Sequence, residues 1–433
     1  MSQEALPPVP AKPANIRVGI IGLGAMGRIH LEKLSQSARV VALCDVHRSR
    51  LYEAAESLDF KVASFADYRE LLAFPDVDAV VIATPDHWHS RMTIDACDAG
   101  KDVYVETPAT TTPADGRRMV EAARRKNLIV QVGAFGRSNA AARKACEYLR
   151  NGKIGRIERV VCWGPVNAPH MPHAWGQRPM PLPPAGRATS VAPQDQGTSG
   201  GLPAPAPATS VAAPPRMSEP IKLPAATSDD VPAKLNWREW LGPLGERPFS
   251  ADLFTHWRDY FDVGGGHLCG IGSQVLGLAS WIMQVDATGP VRVEARGGEP
   301  DPQTSSPREL EVTWTFAQPD WELVWSQPGQ PLGKELDHGA AYHGTTGTLN
   351  IYGGAFGVGT EPKAWNWKPA PADKPVPFSP GHLANWLECI RTRERPMMDL
   401  EAGHRVATLA WLGNKAWKQG KVLNWDPRTE TVS

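Results

Sequence analysis

The chain has little that marks a membrane, secreted or nucleic-acid-binding protein. Its 433 residues carry 46 Lys and Arg against 46 Asp and Glu. No net charge therefore draws it toward nucleic acid or an acidic membrane. No apolar run approaches the roughly 20 residues a bilayer crossing needs. The opening MSQEALPPVPAKPAN lacks both an apolar core and a twin arginine, so no export signal is expected. Cysteine is sparse and unpaired in sequence: Cys44, Cys97, Cys146, Cys162, Cys269 and Cys389 fall mostly within apolar runs. They read as reduced, buried thiols of a cytoplasmic protein, with neither a disulfide framework nor a zinc site. His170 and His173 flank a Pro-rich turn without a third ligand in view, and no metal is expected.

What is present divides into two domains, as a chain of this length suggests. From Ile16 onward, short β-branched runs (IRVGII, VVALCD, AVVIAT, DVYVE, LIVQVG) alternate with amphipathic stretches at 25–37, 48–58, 89–99 and 112–126. That alternation predicts a parallel sheet with helices on both faces over 15–135, after a disordered tail at 1–14. A helix near 137–151 leads into IERVVCWG, a strand opening a second α/β domain over 136–425, and 426–433 reads as a tail. Strands are expected near 291–298, 309–317, 321–327 and 347–352, forming a mainly antiparallel sheet. Helices are expected at 267–284, 380–393 and 400–419, and 237–262 reads as an aromatic loop. Residues 177–232 are rich in Pro, Ala, Ser, Thr and Gly and read as a disordered insertion, because such a segment buries too little apolar surface to offset its ordering entropy.

The strongest motif is IRVGIIGLGAMGRIH. Gly22, Gly24 and Gly27 follow a predicted strand and, with Ala25 and Met26, open a predicted helix. Such a turn brings backbone N–H groups up to a pyrophosphate. VVALCD ends in Asp45, 18 residues after Gly27. A carboxylate there accepts from both ribose hydroxyls of NAD and repels the 2′-phosphate of NADP. His47, Arg48 and Arg50 keep NADP open as the alternative.

ATPDHWH (83–89), VYVETP (103–108), VQVGAFGRS, NGKIGRIERV, LNWREWLGP, DVGGGHL, GTTGTLNIYGG and DLEAGHR…LGNKAW together resemble the Gfo/Idh/MocA group of glucose–fructose oxidoreductase and inositol dehydrogenase relatives. The resemblance implies a Rossmann domain, an α/β domain with a large open sheet that mediates homo-oligomers, and a sugar-like or cyclitol substrate. It places Thr84, Pro85, His87 and His89 beside the nicotinamide and its ribose, and Glu106 and Thr107 in the family's Glu-Lys-Pro motif. Trp88, Trp163, Trp175 and Trp257 are the tryptophans nearest the family's cleft segments.

The resemblance also implies a Lys, an Asp and a His that handle the hydroxyl proton. Here the Lys position is Thr107, the Asp position Gly270 and the His position Gln274; a second acid position is Gly277, and a polar cleft position is Phe135. Helical spacing puts His267, Gly270, Gln274, Gly277 and Trp281 on one face. Gln does not exchange a proton near neutrality, and a Thr hydroxyl is too weak an acid to act without an activating neighbour. General acid–base help is worth about 10²- to 10⁴-fold in rate. His267 is the one titratable group on that face, with His89, His256 and Asp259 as further candidates, each with the plainer alternative of a packed polar residue. Two readings follow. One is an NAD-dependent oxidoreductase or redox-assisted lyase with substituted proton carriers; the other is a catalytically silent NAD-holding or sugar-sensing scaffold that assembles with an active paralogue.

Overall fold

A computed structural model describes residues 15–165, 231–318, 320–328, 338–353, 357–361 and 367–433. Residues 1–14, nearly all of the 177–232 insertion, His170, His173 and Trp175 lie outside the described residues.

The first sheet comprises β1 (Arg17–Ile21), β2 (Arg39–Cys44), β3 (Ala63–Phe65), β4 (Ala79–Ile82), β5 (Asp102–Val105) and β6 (Val130–Val132). Its order is β3-β2-β1-β4-β5-β6, with every pair parallel. All four residues of β4 and of β5 are buried, as expected where helices cover both faces. The covering helices include α1 (Ala25–Ser35), α2 (Arg48–Glu56), α3 (Tyr68–Ala73), α4 (His89–Asp98) and α5 (Pro113–Arg125). Strand order reverses between β1 and β4, which opens a crevice at the carboxyl ends of the strands.

The second sheet begins after α6 (Ala140–Arg150) with β7 (Ile157–Trp163). It continues with β8 (Arg292–Gly297), β9 (Leu310–Ala317), β10 (Asp320–Gln327), β11 (Gly339–Gly344), β12 (Gly347–Tyr352), β13 (Gly357–Glu361), β14 (Leu423–Asp426) and β15 (Thr431–Val432). The order is β13-β12-β11-β7-β10-β9-β8-β14-β15, and only β7 with β10 is parallel. Leu310, Val312, Trp314 and Phe316 of β9 are buried while Glu311, Thr313, Thr315 and Ala317 are not, so one face meets the core and the other is open. The buried face packs against α10 (Ile271–Ile282) and α12 (Leu400–Gln419). Among the described residues no helix is long and apolar enough to cross a membrane.

Several expectations need correction. The 237–262 segment is not a loop: it forms α7 (Trp237–Leu241) and α8 (Ala251–His256), which share a small core of Trp237, Trp240, Phe249, Leu253, Trp257 and Tyr260. The single helix expected at 267–284 is two, α9 (Gly266–Cys269) and α10, because Gly270 leaves the helical region at ψ −94°. That break separates His267 from Gln274, Gly277 and Trp281, which keep a common face within α10. Residues 426–433 are not a tail, since β15 pairs with β14. Helix α11 (His382–Thr392) packs Trp386, Leu387, Cys389 and Ile390 among Ile16, Val18, Ile20 and Leu34.

Candidate functional site

The glycine turn adopts the geometry the motif requires. Gly22 has φ +88°, and a Cβ there would lie 2.6 Å from the Ala83 carbonyl oxygen. Gly24 is the N-cap of α1, with no side-chain cap and no atom within 4 Å of where a Cβ would stand. The first N–H groups of α1 therefore meet open space, which suits a phosphate. Gly27 instead faces the Gly22 carbonyl and allows helix and strand to approach closely. Asp45 is 7% exposed; its Oδ2 accepts from the Leu23 N–H at 2.7 Å and its Oδ1 from the His47 N–H at 2.7 Å. Those bonds fix the carboxylate at the end of β2 and leave lone pairs on each oxygen for a ribose.

Gly22, Gly24, Ala25, Met26, Asp45, Thr84 and Pro85 line one cleft of about 260 Å³. These residues fit a dinucleotide: an open glycine turn, a helix N-terminus and a fixed acid in one crevice. The cleft also has a roof, two of whose residues, His256 and Trp257, were candidates in the sequence. Phe254, His256, Trp257 and Arg258 from the end of α8 and beyond line it, with Arg50 and Tyr68 from the Rossmann side. The Arg50 guanidinium lies 4.8 Å from the centre of the Phe254 ring. His256 Nδ1 is 2.9 Å from Asp252 Oδ1, whereas Asp259 is buried and accepts through its main-chain oxygen from Ser306.

The two histidines of ATPDHWH brace the crevice. His87 Nε2 and the Trp88 Nε1–H both reach the Trp240 carbonyl oxygen, at 2.9 and 2.8 Å, and so tie α7 to the Rossmann domain. Burial pushes the His87 imidazole down to about 4, against the hydrogen bond at Trp240. Both ring nitrogens of His89 face main-chain oxygens, Pro108 at 2.7 Å and Thr84 at 2.9 Å, which leaves neither for a substrate. Glu106 pairs with His30 Nε2 at 2.6 Å and packs so closely on Gly133 that a Cβ there would lie 2.7 Å from Oε2. Burial opposes ionisation of Glu106, but the His30 hydrogen bond and nearby His89 and His382 carry it below the usual carboxylate range.

Residues 16–134 match the NAD-binding Rossmann fold of the GFO_IDH_MocA oxidoreductase family, and residues 223–433 match that family's C-terminal alpha/beta domain. The chain belongs to the Gfo/Idh/MocA oxidoreductase family. It is similar to the myo-inositol 2-dehydrogenase of Thermotoga maritima, at 34% identity over 158 residues, 36% of this chain and 47% of that protein. It is also similar to the levoglucosan dehydrogenase of Pseudarthrobacter phenanthrenivorans, at 32% identity over 155 residues, 33% of this chain and 39% of that one. These matches span less than half of either relative. Its fold is like that of the WlbA dehydrogenase of Bordetella pertussis solved with NADH and UDP-GlcNAcA, at 18% identity and TM-score 0.64 over 95% of this chain and 99% of that one.

The positions where the Gfo/Idh/MocA resemblance implies proton-transfer groups are placed as follows. Thr107 is half-buried just beyond the end of β5. Gly270 faces open space: a Cβ there would meet only the Gly266 carbonyl oxygen, at 3.7 Å. The Gln274 Nε2 donates to the Gly133 carbonyl oxygen at 3.1 Å, and Gln274 shares a small cavity with Phe135, His338 and Tyr352. At Gly277 a Cβ would meet Ala134, Met398 and Val406, and the Gly277 carbonyl accepts from buried Arg137 at 2.9 Å. His267 is 4% exposed, its Nδ1 lies 3.4 Å from the Pro165 carbonyl oxygen, and it is not among the residues lining the glycine-turn cleft.

The sequence reading passed over two charged residues of these motifs. Asp86 sits inside ATPDHWH, one residue after Pro85, and is 4% exposed. Arg258 sits inside HWRDYF and lines the cleft, its guanidinium 4.1 Å from the centre of the Trp257 ring. The only sequence signal for either was its place inside a motif noticed for its histidines.

Proposed function

We propose that this chain is an NAD-dependent oxidoreductase acting on a sugar-like or cyclitol substrate, with proton carriers other than a Lys, Asp and His set. One observation carries the reading: the open glycine turn, the fixed Asp45 and the Thr84-Pro85 edge line a single crevice at the switch point of a parallel sheet. Gly22, Gly24, Ala25, Met26, Asp45, Thr84 and Pro85 would hold the nucleotide, and the acid at the end of β2 favours NAD over NADP. When bound, the nicotinamide supplies a hydride acceptor. The chain's own part is to bind, to orient and, through the aromatic roof, to exclude water. Glu106, ionised and held by His30, supports the crevice floor. The relatives' substrates, inositols and levoglucosan by their names, point to a polyhydroxylated ring.

A silent scaffold is the second reading. It is favoured by Gln274, whose amide donates to Gly133 in the place of a titratable group. Single-turnover incubation with a panel of sugars, cyclitols and glycosides, following reduced-nicotinamide absorbance and products together, separates the two. Turnover is expected for the enzyme. No turnover across the panel, with NADH binding intact, leaves the scaffold. In that case the combined Thr107→Lys, Gly270→Asp and Gln274→His variant is expected to create activity, since Gly270 has room for a side chain.

A further inference from the structure

We infer that the arginine-lined hollow between α5, α12 and the β14–β15 turn is a binding site for a small phosphate-bearing anion. The inference does not depend on the oxidoreductase reading, since this hollow shares no lining residue with the glycine-turn cleft.

Five guanidinium groups line one cavity of about 780 Å³: those of Arg117 and Arg124 on α5, Arg405 on α12, Arg395 ahead of α12 and Arg428 in the turn. Three carboxylates line it with them, Asp399, Glu401 and Glu430. Among the described residues, five cations against three anions leave an excess of two positive charges in the hollow.

The carboxylates are already committed. Glu401 Oε1 accepts from Arg117 at 2.9 Å and Arg405 at 3.0 Å, and its Oε2 from Arg117 at 2.9 Å and Arg124 at 3.0 Å. Glu430 Oε1 accepts from Arg117 at 2.5 Å and meets His404 Nε2 at 2.8 Å, while its Oε2 accepts from Arg117 at 3.1 Å. Asp399 pairs with Arg395. Burial opposes ionisation of Glu401 and Glu430, but Arg117 and its neighbours outweigh it and hold both carboxyls below the usual range. Both therefore count as full negative charges. Even so, three guanidinium groups crowd on these two acids and repel one another.

What remains is donor capacity. A guanidinium carries five N–H donors in a planar fork. Arg405 uses Nε and Nη1 on Glu401, Glu430 and the Pro427 carbonyl oxygen, and keeps Nη2. Arg124 uses Nη2 alone. The Arg428 side chain forms no hydrogen bond or ion pair with any described residue; Asp426, on which its charge acts, does not line the cavity. Arg405 is held against the floor by its bonds, while Arg124, Arg395 and Arg428 stand exposed at the rim. A phosphate monoester carries about two negative charges near pH 7 and three acceptor oxygens, which matches both the excess charge and the open forks. A single carboxylate would cancel half of that excess. A phosphate bound here adds bonds between α5 of the first domain, α12 and the C-terminal turn, so occupancy stabilises the contact between them.

The test uses inorganic phosphate, phenyl phosphate and acetate, titrated by calorimetry into the full chain at constant ionic strength. NADH is present in excess so that the glycine turn does not report. Both phosphates are expected to bind saturably and acetate not. Arg428→Ala and Arg124→Gln are each expected to weaken phosphate binding about tenfold. Without phosphate, Arg428→Ala is expected to melt with the wild type, because its guanidinium holds nothing; the rise in melting temperature that phosphate gives the wild type is expected to be lost. Tighter binding of phenyl phosphate than of inorganic phosphate assigns a phosphorylated metabolite as the ligand, and equal or weaker binding assigns free phosphate. No saturable binding of either phosphate up to about 10 mM overturns the inference. So does binding that neither variant weakens, or a melting-temperature rise that sodium chloride reproduces at the same ionic strength, which is screening alone. Should Arg428→Ala prove unstable, Arg428→Lys and Arg124→Gln decide, and unweakened binding in both overturns the site.

Discussion

At the scale of single residues, the cofactor reading turns on Asp45. Its carboxylate orders the glycine turn through Leu23 and the start of α2 through His47, and its remaining lone pairs face the cleft. Asp45→Ala removes charge-assisted bonds of about 1.5–3 kcal/mol each. NADH affinity is expected to fall at least about tenfold, as read by fluorescence titration, with the discrimination against NADPH reduced. Unchanged NADH affinity would remove Asp45 from the binding site. The residue scale is also where sequence reading reached unevenly. Gly22, Gly24 and Asp45 were legible because each is defined by a local backbone need. His87 and His89 were noticed as cleft residues, yet their nitrogens brace α7 and the β4–β5 edge.

At the scale of elements, the C-terminal hairpin acts as a latch between domains. Glu430, just before β15, meets Arg117 of α5 at 2.5 Å and His404 of α12 at 2.8 Å; Glu401 of α12 pairs with the same Arg117 at 2.9 Å. Burial opposes ionisation of Glu401, but Arg117, Arg405 and Arg124 outweigh it and take the carboxyl from 4.5 to about 2. Because the folded value lies below the unfolded one, the stabilisation is complete above about pH 4.5 and is lost as pH falls toward 2. Denaturant titrations are expected to show stability declining by on the order of 3 kcal/mol across that window from this group. Glu401→Gln should remove most of that slope; a slope unaltered by the substitution would show that the latch is not the acid-sensitive element. The helices expected at 400–419 and 89–99 were readable from apolar spacing. The break at Gly270 was not, because glycine permits a helix as well as an interruption, and packing of Leu268 and Gly272 against the sheet decides between them.

At the scale of the whole molecule, the Rossmann core is completed by the far end of the chain. Trp386 of α11 is fully buried among residues of β1 and α1. Trp386→Ala is expected to destabilise the protein by about 3–5 kcal/mol and to weaken NADH binding with it, although no cofactor residue is touched. Unfolding curves that match the wild type would show α11 to be peripheral. What the residues determined alone is the part of the protein set by short-range rules: alternating strands and helices, a glycine turn with an acid at the next strand, and the family. Those features follow from backbone sterics and apolar periodicity within a few turns of chain. The aromatic roof over the cleft, the latch and the packing of α11 on the first domain were decided only by tertiary structure. Each depends on burying surface, or placing charge, between segments whose proximity exists only after the chain has folded.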